Sequence, residues 1–160
     1  MGKLRFFIAV IVGKIMAFLI DKIFKRGTNT PGIVMLKICP DALSRFIMPR
    51  NTICVTGTNG KTGTSNLLTH IIRNSGKTVV NNSKGSNMAP GLASALVTQC
   101  TLGGKVTADV AVLEVDERSS QYIYTEFTPK YILCTNLFRD SIMRNGHSGF
   151  IFDKINDYLD

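Results

Sequence analysis

The apolar run Thr52-Ile53-Cys54-Val55-Thr56 is followed at once by Gly57-Thr58-Asn59-Gly60-Lys61-Thr62, and then by a stretch of helical periodicity. A chain that leaves a buried strand, turns on glycines and enters a helix presents unpartnered N–H groups to the turn. The positive end of the helix dipole lies behind them, so the junction holds a polyanion. Gly57 and Gly60 permit backbone conformations and close approach that a side chain would block. Lys61 supplies a flexible cation for the β- and γ-phosphates of a nucleotide, and the Thr62 hydroxyl is placed to ligate Mg²⁺. The expected ligand is ATP, held by Gly57, Thr58, Asn59, Gly60, Lys61, Thr62 and Gly63. The spacing departs from the usual phosphate-loop pattern: its first glycine falls on Val55, and the first glycine here is Gly57.

One hydroxyl does not complete a magnesium site. The run Leu113-Glu114-Val115-Asp116-Glu117 ends another apolar segment with three carboxylates. Acidic side chains at the C-terminal edge of a parallel sheet lie where ligands bind. Glu114 alternates with Leu113 and Val115, which makes it the first choice as the second metal ligand; Asp116 and Glu117 are alternatives. Lys61 and Glu114 are therefore the expected catalytic residues, and Thr62 and Glu114 the expected metal ligands.

Strand and helix patterns alternate around these residues. Strands are expected at Thr52–Thr56, Lys77–Asn81, Val110–Val115 and Tyr131–Thr135. Helices are expected at Thr64–Asn74, with Leu67, Leu68, Ile71 and Ile72 on one face; at Ala89–Cys100, with Leu92, Leu96 and Val97 on one stripe; and at Phe150–Leu159. Such alternation predicts an α/β fold, a phosphate-loop-type layered domain with a mostly parallel sheet. Residues 51–160 form this domain. Residues 1–50 precede it as an apolar and basic helix followed by turns and short helical pieces around Ile33–Ile38 and after Pro40.

The formal charge is +8, and residues 1–50 carry nine basic side chains against two acidic ones, so +7 of it lies there. No reading element or aromatic-basic module accompanies that charge, which argues against nucleic acid as a partner. A basic apolar segment beside a nearly neutral domain suits anionic lipid or an acidic protein surface. The run from Phe6 to Phe24 is broken by Lys14, Asp21 and Lys22, short of the roughly 20 uninterrupted apolar residues of a span. No signal-peptide cleavage site follows it, and Phe6 stands where a myristoylation signal has Ser or Thr. It reads as an amphipathic helix packed on the domain, with membrane-surface contact through residues 1–27 as the alternative. Four widely spaced cysteines offer no metal-ligand spacing; Cys54 and Cys134, inside strand-like runs, are expected to be small core residues of a reduced, cytoplasmic protein.

The ordered set of GTNGKT, the Asn/Gly segment Asn81–Met88, LEVDE and Thr135-Asn136-Leu137-Phe138-Arg139-Asp140 resembles the central ATPase domain of the Mur ligase family. Its MurT type, the synthetase subunit of lipid II isoglutaminyl synthase, is the nearest likeness. That type is also similar at Gly13-Lys14, Pro31-Gly32 and Lys37–Asp41. The resemblance implies a carbon–nitrogen ligase of peptidoglycan synthesis. ATP would phosphorylate the D-glutamate α-carboxyl of lipid II, and ammonia from a GatD-like glutaminase subunit would displace phosphate to give D-isoglutamine. It also implies nucleotide contacts at Asn136, Arg139 and Asp140. Departures fall at Gly63, where the family commonly has Thr, and at Ser141, Met143, Asn145 and His147. Family members continue beyond this length, so the ATP-binding domain is expected to be incomplete. A non-catalytic nucleotide-binding or docking module of the same family is the alternative reading.

Overall fold

A computed structural model describes residues 2–24, 29–83, 86–137 and 153. In order they form α1 (Gly2–Phe24), α2 (Thr30–Ile38), α3 (Ala42–Arg45), β1 (Asn51–Thr56), α4 (Lys61–Asn74), β2 (Val79–Asn81), α5 (Ala89–Thr98), β3 (Val110–Glu114), α6 (Ser120–Glu126) and β4 (Tyr131–Cys134). The expected helix at Phe150–Leu159 falls outside the described residues, as do Arg139 and Asp140.

The strands make one sheet in the order β2-β3-β1-β4, and every pairing is parallel. Cys54 of β1 sits opposite Leu113 of β3 and Ile132 of β4, so β1 is an interior strand. Because side chains alternate along a strand, the sheet has two different faces. Val55, Val79, Val110 and Val112 meet Leu68 and Ile72 of α4 on one face. On the other, Cys54, Val80, Ala111 and Leu113 join the larger core built by α1, α2, α5 and α6. The parallel arrangement brings the C-terminal ends of all four strands, and the loops that follow them, to one edge.

The α4 face differs from the sequence expectation. Leu67 and Ile71 are exposed, whereas Leu68 and Ile72 pack inward. The inward side is fixed by polar anchors: Asn81 Nδ2 donates to Ser65 Oγ at 3.0 Å and to Thr69 Oγ1 at 2.9 Å. Four apolar residues at 67, 68, 71 and 72 span an arc wider than the contact, and these hydrogen bonds select its edge. Cys54 is buried, as expected, but Cys134 is exposed, on a strand that among the described residues pairs with β1 alone. Two further boundaries differ: α2 begins at Thr30, with Pro31 in its first turn, and β2 begins at Val79. The helix α6 had no periodic signature; it follows a turn in which Asp116 Oδ1 accepts from the N–H groups of Arg118 and Ser119.

The described residues of 1–50 pack against the rest of the chain. Phe6, Ala9 and Val10 of α1 are buried, and Gly13 lets the helix approach α5 so closely that a Cβ there would lie 2.9 Å from Val97 Cγ2. Arg5 Nε donates to the Ile38 carbonyl at the end of α2, and Phe6 meets Phe46 edge-on with ring centroids 5.5 Å apart. In α2, Gly32 N–H donates to Ser94 Oγ at 2.8 Å, and a Cβ at Gly32 would stand 1.9 Å from the Pro90 carbonyl.

Two outcomes are expected from this packing. Gly32→Ala must push α2 off α5, and overpacking of this kind costs about 1–3 kcal/mol; urea denaturation of the two proteins measures it. In thiol titration with a chromogenic disulfide, one cysteine reacts fast in the native protein and Cys134→Ser removes that phase. Burial and the Glu117 carboxylate raise the Cys134 thiol above its ordinary pKa, so less thiolate is present at neutral pH and the rate climbs as pH rises.

Candidate nucleotide-binding site

The loop between β1 and α4 is shaped by contact with the end of β4. Gly57 has φ +125°, a region that L side chains rarely adopt. A Cβ there would lie 2.4 Å from Thr135 Oγ1 and 2.7 Å from the Asn136 carbonyl. Both the conformation and the lack of space therefore demand glycine. Gly60, at φ +82°, is the residue before α4, and no described residue lies within 4 Å of where its Cβ would be. Among the described residues no side chain caps the α4 N-terminus. Among those residues the first N–H groups of the helix are thus uncapped by side chains, which is the arrangement that attracts phosphate oxygens.

The loop is braced from the side. Thr58 N–H donates to the Asn136 carbonyl at 2.8 Å. The Asn136 carboxamide then pairs with both backbone groups of Asn59: Asn59 N–H donates to Oδ1 at 3.0 Å, and Nδ2 donates to the Asn59 carbonyl at 3.1 Å. Thr135 Oγ1 donates to that same carbonyl at 2.7 Å. The structure therefore gives Asn136 a loop-holding part, one that its sequence motif alone does not reveal.

Lys61 folds back over its own loop. Its ammonium donates to the Gly57 carbonyl, to the Thr58 carbonyl at 3.3 Å and to Glu117 Oε2 at 3.1 Å. Both partners of the ion pair are largely buried, so solvent screens it less than a surface pair. Glu117, one of the alternative metal ligands, is thereby assigned to the lysine. Asp116, the other, is occupied in the turn before α6. Glu114 remains, and Thr62 Oγ1 donates to its Oε2 at 2.8 Å. The two expected metal ligands are thus neighbours, brought together from α4 and the end of β3.

Two asparagines of the segment after β2 hold Glu114 in place. The buried Asn82 exchanges hydrogen bonds with its backbone: Nδ2 donates to the Glu114 carbonyl and the Glu114 N–H donates to Oδ1, each at 2.8 Å. Asn87 Nδ2 reaches Glu114 Oε1 at 3.5 Å. Sequence reading marks this segment only through its family likeness; an Asn pair following a strand carries no signal of which backbone it will bind. Among the described residues no group of three or more His, Cys, Asp and Glu side chains gathers as a metal site. A cation here would take one hydroxyl and one carboxylate from the chain and its other ligands from phosphate and water, the usual habit of Mg²⁺.

The comparison with known families settles what this architecture is. The Mur ligase middle domain matches residues 55–146, from within β1 through the loop, β2, β3 and β4. The chain belongs to the Mur ligase family. Among curated relatives of that family, lipid II isoglutaminyl synthase (glutamine-hydrolyzing) subunit MurT of Staphylococcus aureus (strain N315) is 37% identical over 132 residues, 82% of this chain and 29% of the relative. The MurT subunit of Streptococcus pneumoniae (strain ATCC BAA-255 / R6) is 32% identical over 157 residues, 98% of this chain and 34% of the relative. UDP-N-acetylmuramate–L-alanine ligase of Leuconostoc citreum (strain KM20) is 29% identical over 121 residues, 76% of this chain and 23% of the relative. The chain therefore spans about a third or less of the length of the Mur ligase relatives it matches.

If Asn136 braces the loop, Asn136→Ala strips the Asn59 N–H of its acceptor but leaves Thr58 bonded to a backbone carbonyl. Loss of the two carboxamide bonds to Asn59, about 1 kcal/mol each, predicts roughly five- to thirtyfold faster hydrogen exchange at the Asn59 amide with a much smaller change at Thr58. Equal acceleration at both amides would show that the side chain is not a local brace.

Proposed function

We propose that the chain is the nucleotide-binding part of a MurT-like, ATP-dependent amide ligase acting in peptidoglycan synthesis. The single observation that carries this reading is the Gly57–Thr62 loop, open over the α4 N-terminus, with Lys61 inside it and Thr62 beside Glu114. Gly57, Thr58, Asn59, Gly60 and Gly63 would surround the triphosphate with backbone, and Lys61 would neutralise its charge. Thr62 and Glu114 fit a Mg²⁺ ion, an oxygen pair at the mouth of the loop; such an ion offsets charge on transferring phosphate oxygens. Asn136, Arg139 and Asp140 complete the proposed nucleotide contacts, Asn136 by holding the loop in shape.

In the proposed reaction the D-glutamate α-carboxylate of lipid II attacks the γ-phosphorus of ATP. The bond to the bridging oxygen breaks, and ADP leaves with that electron pair. Ammonia supplied by a GatD-like glutaminase subunit then attacks the acyl carbon; phosphate departs and a proton is lost, leaving the amide. Little of this asks for acid–base chemistry from the chain. What it asks for is alignment and charge neutralisation, which is what the loop, Lys61 and the Thr62–Glu114 pair offer. The reading places the reaction on the cytoplasmic side of the membrane, where ATP is available.

Equilibrium binding of Mg·ATP is the test. Lys61→Ala is expected to weaken binding at least tenfold, and Glu114→Gln to remove most of the magnesium dependence. Equal affinity of wild type and Lys61→Ala would end the nucleotide assignment. Amide formation on lipid II with a glutaminase present distinguishes the ligase from a non-catalytic module, which would bind ATP without turnover.

A further inference from the structure

The helix α1 is apolar on two opposite sides, and the domain uses one of them. Phe6, Ala9, Val10 and Gly13 recur at helical spacing and are buried against α2 and α5. About 180° away, Leu4, Phe7, Ile8, Ile15, Phe18 and Leu19 form a second stripe at the same spacing, all exposed; Leu4 is 67% and Phe18 60% accessible. At 1.5 Å per residue the stripe runs for roughly 22 Å along the helix. Scattered exposed apolar residues need no explanation, but a continuous stripe of this size marks an interaction surface.

Charge identifies the occupant. The helix carries Lys3, Arg5, Lys14 and Lys22 against Asp21 alone. Lys3 and Lys14 flank the stripe on one side, and Lys22 closes its C-terminal end with Nζ 4.6 Å above the Phe18 ring. Long basic side chains beside an apolar stripe reach lipid phosphates while the stripe enters the acyl boundary. A second copy meeting this face would bring the same lysines of both chains together, an unfavourable pairing. A span is excluded by packing: the Phe6–Gly13 side faces α2 and α5, and no helix among the described residues is long and apolar enough to cross a membrane.

We infer that α1 is an in-plane membrane anchor: its outer stripe docks on an anionic bilayer surface while its inner stripe stays packed on the domain. This rests on the exposed face alone and stands or falls independently of nucleotide binding at Lys61.

The test is co-sedimentation of the 160-residue chain with vesicles of phosphatidylglycerol and phosphatidylcholine, against phosphatidylcholine alone. Binding is expected on the anionic vesicles, at least tenfold weaker on neutral ones and in high salt. Phe7→Glu with Phe18→Glu should lower it tenfold or more with the circular dichroism and urea midpoint preserved, and Lys3→Glu with Lys22→Glu should lower it without touching an apolar residue. The chain has no Trp, so Leu4→Trp and Leu19→Trp each report a single depth through quenching by brominated lipids; equal, shallow depths are expected. A chain that stays in the supernatant, binding unchanged by both double variants, a dimer abolished by Phe7→Glu/Phe18→Glu in place of vesicle binding, or depths on opposite sides of the bilayer centre would each overturn the inference.

Discussion

The backbone of Gly57 crosses the end of β4 at a distance that leaves no room for a Cβ, and the geometry of the loop follows from that crossing. Thr135 and Asn136 can bond the carbonyl and amide of Asn59 only because the two segments lie against each other. The loop then turns at Gly60, where α4 starts with no side-chain cap among the described residues. Lys61, the first residue of that helix, then falls within reach of the Gly57 and Thr58 carbonyls and of Glu117. A turn rich in small polar residues would otherwise sample many conformations. Here the pairing of β1 with β4 places Thr135 and Asn136 where their bonds hold Asn59 in one conformation.

Sheet order does the rest. With β1 between β3 and β4, the loop after β1 is flanked on one side by Glu114 and on the other by Asn136. The three carboxylates at the end of β3 and just beyond it have separate duties: Glu114 meets Thr62, Asp116 stabilises a turn and Glu117 holds the lysine. The short β2 contributes less to the sheet than to the site, because Asn82 just after it fixes the backbone of Glu114 from the far side.

Much of this was legible in the residues. The β-branched runs before Gly57 and Glu114 give strands, and the glycine–lysine–threonine junction gives the loop, because local sterics and periodicity dictate them. What escaped depends on contacts between distant segments. The alternation around Glu114 favoured it over Asp116 and Glu117, but the pairing of Glu117 with Lys61 joins residues 56 apart and has no local signature. The inward side of α4 was misplaced by one position in each turn because Asn81, on another element, decides it. Cys134 reads as core from its apolar neighbours, yet among the described strands it lies on the outermost one and is exposed. The helix α1 shows the same limit: the sequence reads it as amphipathic, and only its docking on α2 and α5 separates a buried apolar stripe from an exposed apolar one.

The bonds from Thr135 and Asn136 to the loop have a mechanical consequence. The C-terminal end of β4 is not merely adjacent to the cradle; it is fastened to it at three backbone groups, the Thr58 amide and both polar groups of Asn59. A displacement of the chain at Thr135 or Asn136 must therefore stretch or break those attachments, so the end of β4 and the loop after β1 shift together or not at all.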